Sequence, residues 1–137
     1  MKKKIESVQK QFLLYALRKL GWTIFPLPSY KARCTLISIQ TLKERREFAM
    51  VSFVNDIVSN RVDSPELLSK LNFYTPSRPL RSRIIFTPNR YRTNYAKFQP
   101  LNQIMSTYNE HYDYIDFATT KTKLKHYFTS LANRSNN

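Results

Sequence analysis

At 137 residues and 42% apolar content, the chain is long enough for one domain or part of one, and its single Gly rules out a P-loop or a dinucleotide-binding fingerprint. One Cys excludes an internal disulfide, one Cys with two His cannot close a four-ligand zinc site without carboxylates, and no apolar run reaches the ~18 residues of a membrane-spanning helix. A formal charge of +14 and a pI near 10.1 predict attraction to polyanions, nucleic acid before anionic membrane, because each neutralised phosphate releases counterions.

Residues 2–20 read as an amphipathic helix, with Ile5, Val8, Phe12, Tyr15 and either Ala16 or Lys19 at spacings of three and four. Its apolar stretch Phe12 to Leu17 is too short, and its flanks too polar, for a secretory signal. Gly21 follows at the position favoured just past a helix end. Trp22 to Pro28 is an irregular crossing, after which Ser29 is placed to cap a short helix with Cys34 and Ile37 inward. Thr41 and Glu44 form a capping box. The helix it opens runs to about Val58, with Leu42, Ala49, Phe53, Val54 and Ile57 on one side. Ser64-Pro65-Glu66 is a second start signal, for a short helix to Leu71.

Residues 72–99 change character: Pro76, Pro79 and Pro88 punctuate them and no period fits, so an extended, irregular course is expected. Arg83 to Phe86 is the one strand candidate there, because Ile84-Ile85-Phe86 is β-prone. Pro100 then opens a helix with Leu101, Ile104, Met105 and Tyr108 on one face. A last helix, from about Thr120 to Ala132, places Leu124, Tyr127 or Phe128, and Leu131 together. The expected fold is mostly α: a small bundle of about five helices with a long basic, Pro-containing segment at 72–99. The expected organisation is a helical subdomain over 1–71, the extended segment 72–99, C-terminal helices over 100–132, and a disordered Ser/Asn-rich tail at 133–137.

Charge is unevenly spread. From Leu67 to Asn109 there is no acidic residue, while Lys70, Arg78, Arg81, Arg83, Arg90, Arg92 and Lys97 fall within that stretch. The guanidinium fork suits phosphate better than an ammonium does. Between these cations stand Phe86, Tyr91, Tyr95 and Phe98, so phosphates can be held by Arg while rings stack on unpaired bases. The nucleic-acid-binding candidates are therefore Arg78, Arg81, Arg83, Arg90, Tyr91, Arg92, Tyr95 and Lys97. The competing reading is a long connection packed on the helices by its aromatics, with its Arg residues solvated. Lys2–Lys4 is a generic solvated end.

Several strings occur in an order that resembles the region after the polymerase core of insect non-LTR retrotransposon reverse transcriptases of the jockey-like group. They are Ile5-Glu6-Ser7-Val8-Gln9-Lys10 with Phe12, Leu27-Pro28-Ser29-Tyr30, Arg33-Cys34, and Thr41-Leu42 before Arg45-Arg46. Further on come Asp63-Ser64-Pro65 before Leu67-Leu68, Pro79-Leu80-Arg81, Arg92-Thr93-Asn94-Tyr95, and Asn109 with Tyr112-Asp113 and Asp116-Phe117. The resemblance spans about residues 5–117; Ala96 departs from it, where such elements often have Gly.

The resemblance implies a helical, thumb-like segment of a polyprotein that copies RNA into DNA, with the polymerase carboxylates upstream in a Tyr-x-Asp-Asp turn and a separate Asp. This chain has no Asp-Asp pair, and Tyr114-Ile115-Asp116-Phe117 has Phe where the second Asp is needed. Two-metal phosphoryl transfer needs clustered carboxylates. The expectation is a non-catalytic fragment that holds template RNA or an RNA–DNA duplex by its backbone, with the parent's polymerase core as its other partner. No cofactor, metal or membrane is called for, and residence is nuclear or cytoplasmic rather than secreted.

Alternatives are a structural element that packs on the polymerase core, a remnant of a truncated element, and a metal-dependent nuclease. The nuclease would use Glu110, Asp113 and Asp116 to hold Mg²⁺, with His111 as base, and requires helix to continue through them. Its rival places Asp116 as a turn cap or an Arg partner. Cys34 reads as a buried thiol rather than a nucleophile. His111 and His126 read as surface or partly packed, and Trp22 as a cover for the first helix end.

Overall fold

The computed structural model describes residues 2–22, 26–76, 78, 84–90, 92–93, 95 and 98–134. The chain is mostly α, as the sequence predicts. The described residues form six helices, five of them seven residues or longer, and no strand. These are α1 (Lys2–Lys19), α2 (Tyr30–Leu36), α3 (Leu42–Val58), α4 (Pro65–Ser69), α5 (Pro100–His111) and α6 (Lys121–Arg134), with a 3₁₀ turn at Tyr112–Tyr114. Two compact units result: Met1–Arg46 with Tyr127–Asn137, and Glu47–His126.

In the first unit, local chemistry sets the helix ends. Gly21, at φ +80°, closes α1: its N–H donates to Arg18 O and the Trp22 N–H to Leu17 O, at 3.1 and 3.0 Å. This is the paired C-terminal motif that a left-handed residue makes possible. Ser29 Oγ accepts from Ala32 N and starts α2, as expected. The predicted box at α3 is present: Glu44 Oε2 accepts from Thr41 N at 2.9 Å, and Thr41 Oγ1 from Glu44 N at 3.3 Å.

Leu13, Leu17, Cys34 and Phe128 are buried in this unit. Polar side chains stitch around them. Gln9 donates to Gln40 O and accepts from the Tyr30 hydroxyl, and Gln40 donates to Thr129 Oγ1. The predicted inner face of α1 is corrected here: Ile5, Val8, Phe12 and Tyr15 are exposed, and Leu13 and Leu17 are the buried pair. The helix carries two apolar stripes, and helical spacing cannot rank one above the other.

In the second unit, Val51, Val54, Ile57, Leu71, Phe86, Met105, Tyr108, Ile115 and Leu124 form the buried apolar set. The predicted inner side of α3 is right at Val54 and Ile57. It misses Val51, Ser52, Asn55 and Asp56, and Ala49 is exposed. Most of the C-terminal half of α3 is enclosed, so no single stripe describes it.

Phe86 packs edge-on to Tyr108, with ring centres 5.4 Å apart, and tilts against Phe73 at 5.0 Å. Tyr108 stacks on Phe117 at 5.2 Å. Burial of Phe86 contributes about 2–3 kcal/mol. Asp56 gathers the end of α3: Oδ1 accepts from Arg61 Nε and Oδ2 pairs with Lys121 Nζ, both at 2.7 Å.

Three other expectations change. The Ser64 side chain makes no cap bond, and α4 stops at Ser69 rather than Leu71. The strand expected at 83–86 is a single antiparallel bridge, Phe73 to Phe86, with Arg83 outside the described residues. The last helix runs on to Arg134, and residues 135–137 of the expected tail lie outside the described residues.

Candidate nucleic-acid interface

The basic segment is anchored at two places by backbone and by three Asn side chains. Tyr74 N–H donates to Ile85 O at 2.6 Å and Thr87 N–H to Asn72 O at 2.9 Å, which pins the two ends of the stretch 75–84. Asn72 Nδ2 donates to Asn89 Oδ1 at 2.8 Å and to Thr87 O at 3.3 Å.

A second set of bonds to this segment comes from α5. Asn109 Oδ1 accepts from Ile85 N and Phe86 N at 3.2 and 3.0 Å, and Asn109 Nδ2 donates to Phe86 O at 2.7 Å. Two turns earlier on the helix, Asn102 Oδ1 accepts from Asn89 N at 3.2 Å and Nδ2 donates to Asn89 O at 3.4 Å. Each carboxamide both donates and accepts, as a neighbouring strand would, and the Asn109 oxygen uses both its lone pairs. Here a helix, rather than a second strand, supplies partners to the backbone of Ile85, Phe86 and Asn89.

Arg90 follows Asn89 directly and is exposed, as are Arg78 and Arg92. None of the three joins a salt bridge among the described residues. Tyr95 is 87% exposed and Phe98 60%. Arg81, Arg83, Tyr91 and Lys97 lie outside the described residues. Phe86 is corrected from a stacking candidate to a core residue, fully enclosed and beyond reach of a base. The segment thus divides its aromatics: Phe73 and Phe86 meet ring to ring, whereas Tyr95 and Phe98 face solvent.

Asn102 and Asn109 were not among the sequence candidates. The available signal is their register: Asn102 falls one turn before Met105, and Asn109 beside Tyr108, on or next to the apolar face of an amphipathic helix. A polar residue in such a place must find a partner.

The acidic group considered for a metal is not assembled. Helix ends at His111, the 3₁₀ turn takes Tyr112–Tyr114, and Ile115 is extended, so Glu110, Asp113 and Asp116 do not share a helical face. Asp116 does what its rival reading holds: Oδ1 accepts from Phe117 N, and its own N–H donates to Thr119 Oγ1 at 2.9 Å. His111 Nε2 lies 4.0 Å from Glu47. The described residues contain no group of three His, Cys, Asp or Glu disposed around one ion.

Cys34 is buried, and desolvation pushes its thiol above the usual range, the opposite of an activated nucleophile. Trp22 is part-exposed at the end of α1. Among the described residues no helix is long and apolar enough to cross a membrane. Comparisons with protein-family profiles, with curated proteins and with solved structures found no match to the chain.

Proposed function

We propose that the chain is a non-catalytic nucleic-acid-binding segment of a retrotransposon RNA-directed DNA polymerase, holding template RNA or an RNA–DNA duplex by its backbone. One observation carries this reading. Arg78, Arg90 and Arg92 are exposed in a stretch of sequence without acidic residues, and Tyr95 of the same stretch is exposed as well. The motif order described above supplies the parent enzyme, whose polymerase core would perform the chemistry.

The clamp on α5 gives the arrangement a physical rationale. Both backbone polar groups of Asn89 are held, so the Arg90 side chain starts from a fixed point and less chain entropy is lost on binding. Contacts to phosphates without base readout suit a protein that must move along its template.

The test is binding of the purified chain to a labelled RNA hairpin and a matched RNA–DNA duplex over a salt series. A variant with Arg78, Arg90 and Arg92 changed to Ala is measured beside it. Each phosphate contact contributes about 0.7–0.9 to the slope of log affinity against log salt, so the triple variant is expected to lose about two to three units of slope. No binding at low salt by a folded chain, or an unchanged slope in the variant, overturns the reading.

A further inference from the structure

The first unit holds an apolar groove that its described residues leave open. Ile5, Val8 and Phe12 of α1 form one wall, and Ile39 with Leu42 at the start of α3 form the other; the volume is about 620 Å³. Ile5 is 53%, Val8 65% and Phe12 55% exposed. These are the residues whose spacing marks a helix face built for burial, and in the folded chain they remain in water. Of the two polar residues of the lining, Gln9 and Arg45, Gln9 already has Tyr30 and Gln40 as partners, and the other five are apolar.

Charge identifies the kind of occupant. This unit carries twelve Lys and Arg against two acids, Glu6 and Glu44. Both acids are engaged, Glu6 with Arg46 and Glu44 with the Thr41 N–H. Arg45, which lines the groove, is exposed, and so is Lys10 one residue beyond Gln9. A second copy of this chain would bring the same cations against them. The wall on α1 runs from Ile5 to Phe12, about 10 Å along the helix axis, which matches anchors at i, i+3 and i+7 of a helix laid alongside.

The geometry points to this groove as the docking site for an amphipathic helix of another protein, with an apolar stripe flanked by Asp and Glu. The inference stands apart from the nucleic-acid reading, whose residues belong to the second unit.

Three labelled peptides of equal length test it with the full chain, by fluorescence anisotropy. The first is a helix with a Leu stripe and Glu flanks. The second keeps the stripe with Lys flanks, and the third is a scramble of the first, with the same charge and no stripe. The first peptide is expected to bind at least tenfold more tightly than either other. Phe12→Asp, at an exposed position, is expected to weaken it at least tenfold while the thermal melt followed by circular dichroism stays in place. Arg45→Glu is expected to weaken the Glu peptide and strengthen the Lys peptide.

Equal binding of the first and third peptides reduces the effect to bulk charge and overturns the inference. So does binding of the first peptide that neither variant changes. A wild-type dimer in sedimentation that Phe12→Asp dissolves assigns the groove to a second copy and overturns it. Tighter Phe12-dependent binding to phosphatidylglycerol vesicles than to the first peptide assigns it to a lipid surface, with the same consequence.

Discussion

Asn102 and Asn109, two helical turns apart on α5, grip the stretch 85–89 through three backbone N–H groups and two carbonyls. The pair converts a helix face into a pairing edge, and thereby fixes the segment that carries Arg90 and Arg92.

Removing Asn109 strands the Ile85 and Phe86 amides and the Phe86 carbonyl next to a fully enclosed ring. Asn109→Ala is expected to cost about 2–3 kcal/mol, since lost partners leave a desolvation penalty. Asn102→Ala is expected to cost less, about 1 kcal/mol, because Asn89 is exposed and water can replace the carboxamide. Equilibrium urea denaturation measures both. Hydrogen exchange adds a local readout: the Phe86 amide should lose protection in Asn109→Ala and keep it in Asn102→Ala.

Local signals were legible in the sequence, and tertiary choices were not. Gly21, Ser29 and the Thr41–Glu44 box act on residues within a few positions, so their spacing announces the helix ends they make. The α1 stripe at Ile5, Val8 and Phe12 obeys the same periodicity as Leu13 and Leu17, and only the rest of the unit decides which is covered. The Asn clamp was hidden for a related reason. A carboxamide bonded to its own turn and one bonded to a chain far along the sequence look alike in one dimension. Of the proposed nucleic-acid residues, the exposed Arg and Tyr positions come from charge and composition alone, whereas the frame beneath them required the fold.

Tyr108 and Asn55 form a buried polar pair, the phenol donating to Asn55 Oδ1 at 3.0 Å while Asn55 Nδ2 donates to the carbonyls of Asp116 and Thr119. Burial drives the Tyr108 hydroxyl well above the usual phenol range, with the Asp116 charge adding to it. In the unfolded chain this group ionises near pH 10. Between that value and the raised one, only the unfolded state loses the proton, so stability falls as pH rises past about 10. Tyr108→Phe is expected to remove this group's part of the alkaline loss. At neutral pH it should cost about 1–2 kcal/mol by orphaning the Asn55 oxygen. Thermal melts of both chains from pH 7 to 11 check the two effects together.

Asp56 acts at the opposite end of the pH scale. Its hydrogen bond from Lys121, and next that from Arg61 against the cost of burial, hold its carboxyl below the usual range. A depressed carboxylate stabilises fully above its unfolded value near 3.9, and that contribution is lost as pH falls through the folded value. Asp56→Asn is expected to flatten the acid limb of the stability curve below about pH 4. Both partners are largely exposed, which limits the cost at pH 7 to about 1–2 kcal/mol. Urea denaturation at pH 3, 5 and 7 reads the slope. An acid limb identical to wild type would place the titrating groups elsewhere.

Ser38 and Asn60 repeat at α2 and α3 what Gly21 does at α1. Each has positive φ, 57° and 55°, and each donates its N–H to a carbonyl three residues back. The following residue in each case reaches the carbonyl five back: Ile39 to Cys34, and Arg61 to Asp56. The three ends share one geometry but not one residue, and left-handed backbone costs an L-residue about 1–2 kcal/mol unless a short polar side chain compensates. The Ser38 hydroxyl makes no such bond among the described residues, and Asn tolerates the region better than Ser. Ser38→Gly is therefore expected to stabilise the chain by about 0.5–1 kcal/mol, after the larger unfolded-state freedom of Gly is counted. Asn60→Gly should gain less, a few tenths of a kcal/mol. Ser38→Ala should gain nothing, because the Cβ that strains the turn is kept. The order Ser38→Gly above Asn60→Gly above Ser38→Ala, measured as urea midpoints at constant m-value, tests backbone strain as the cause. A gain from Ser38→Ala equal to that from Ser38→Gly would assign the effect to the lost hydroxyl instead.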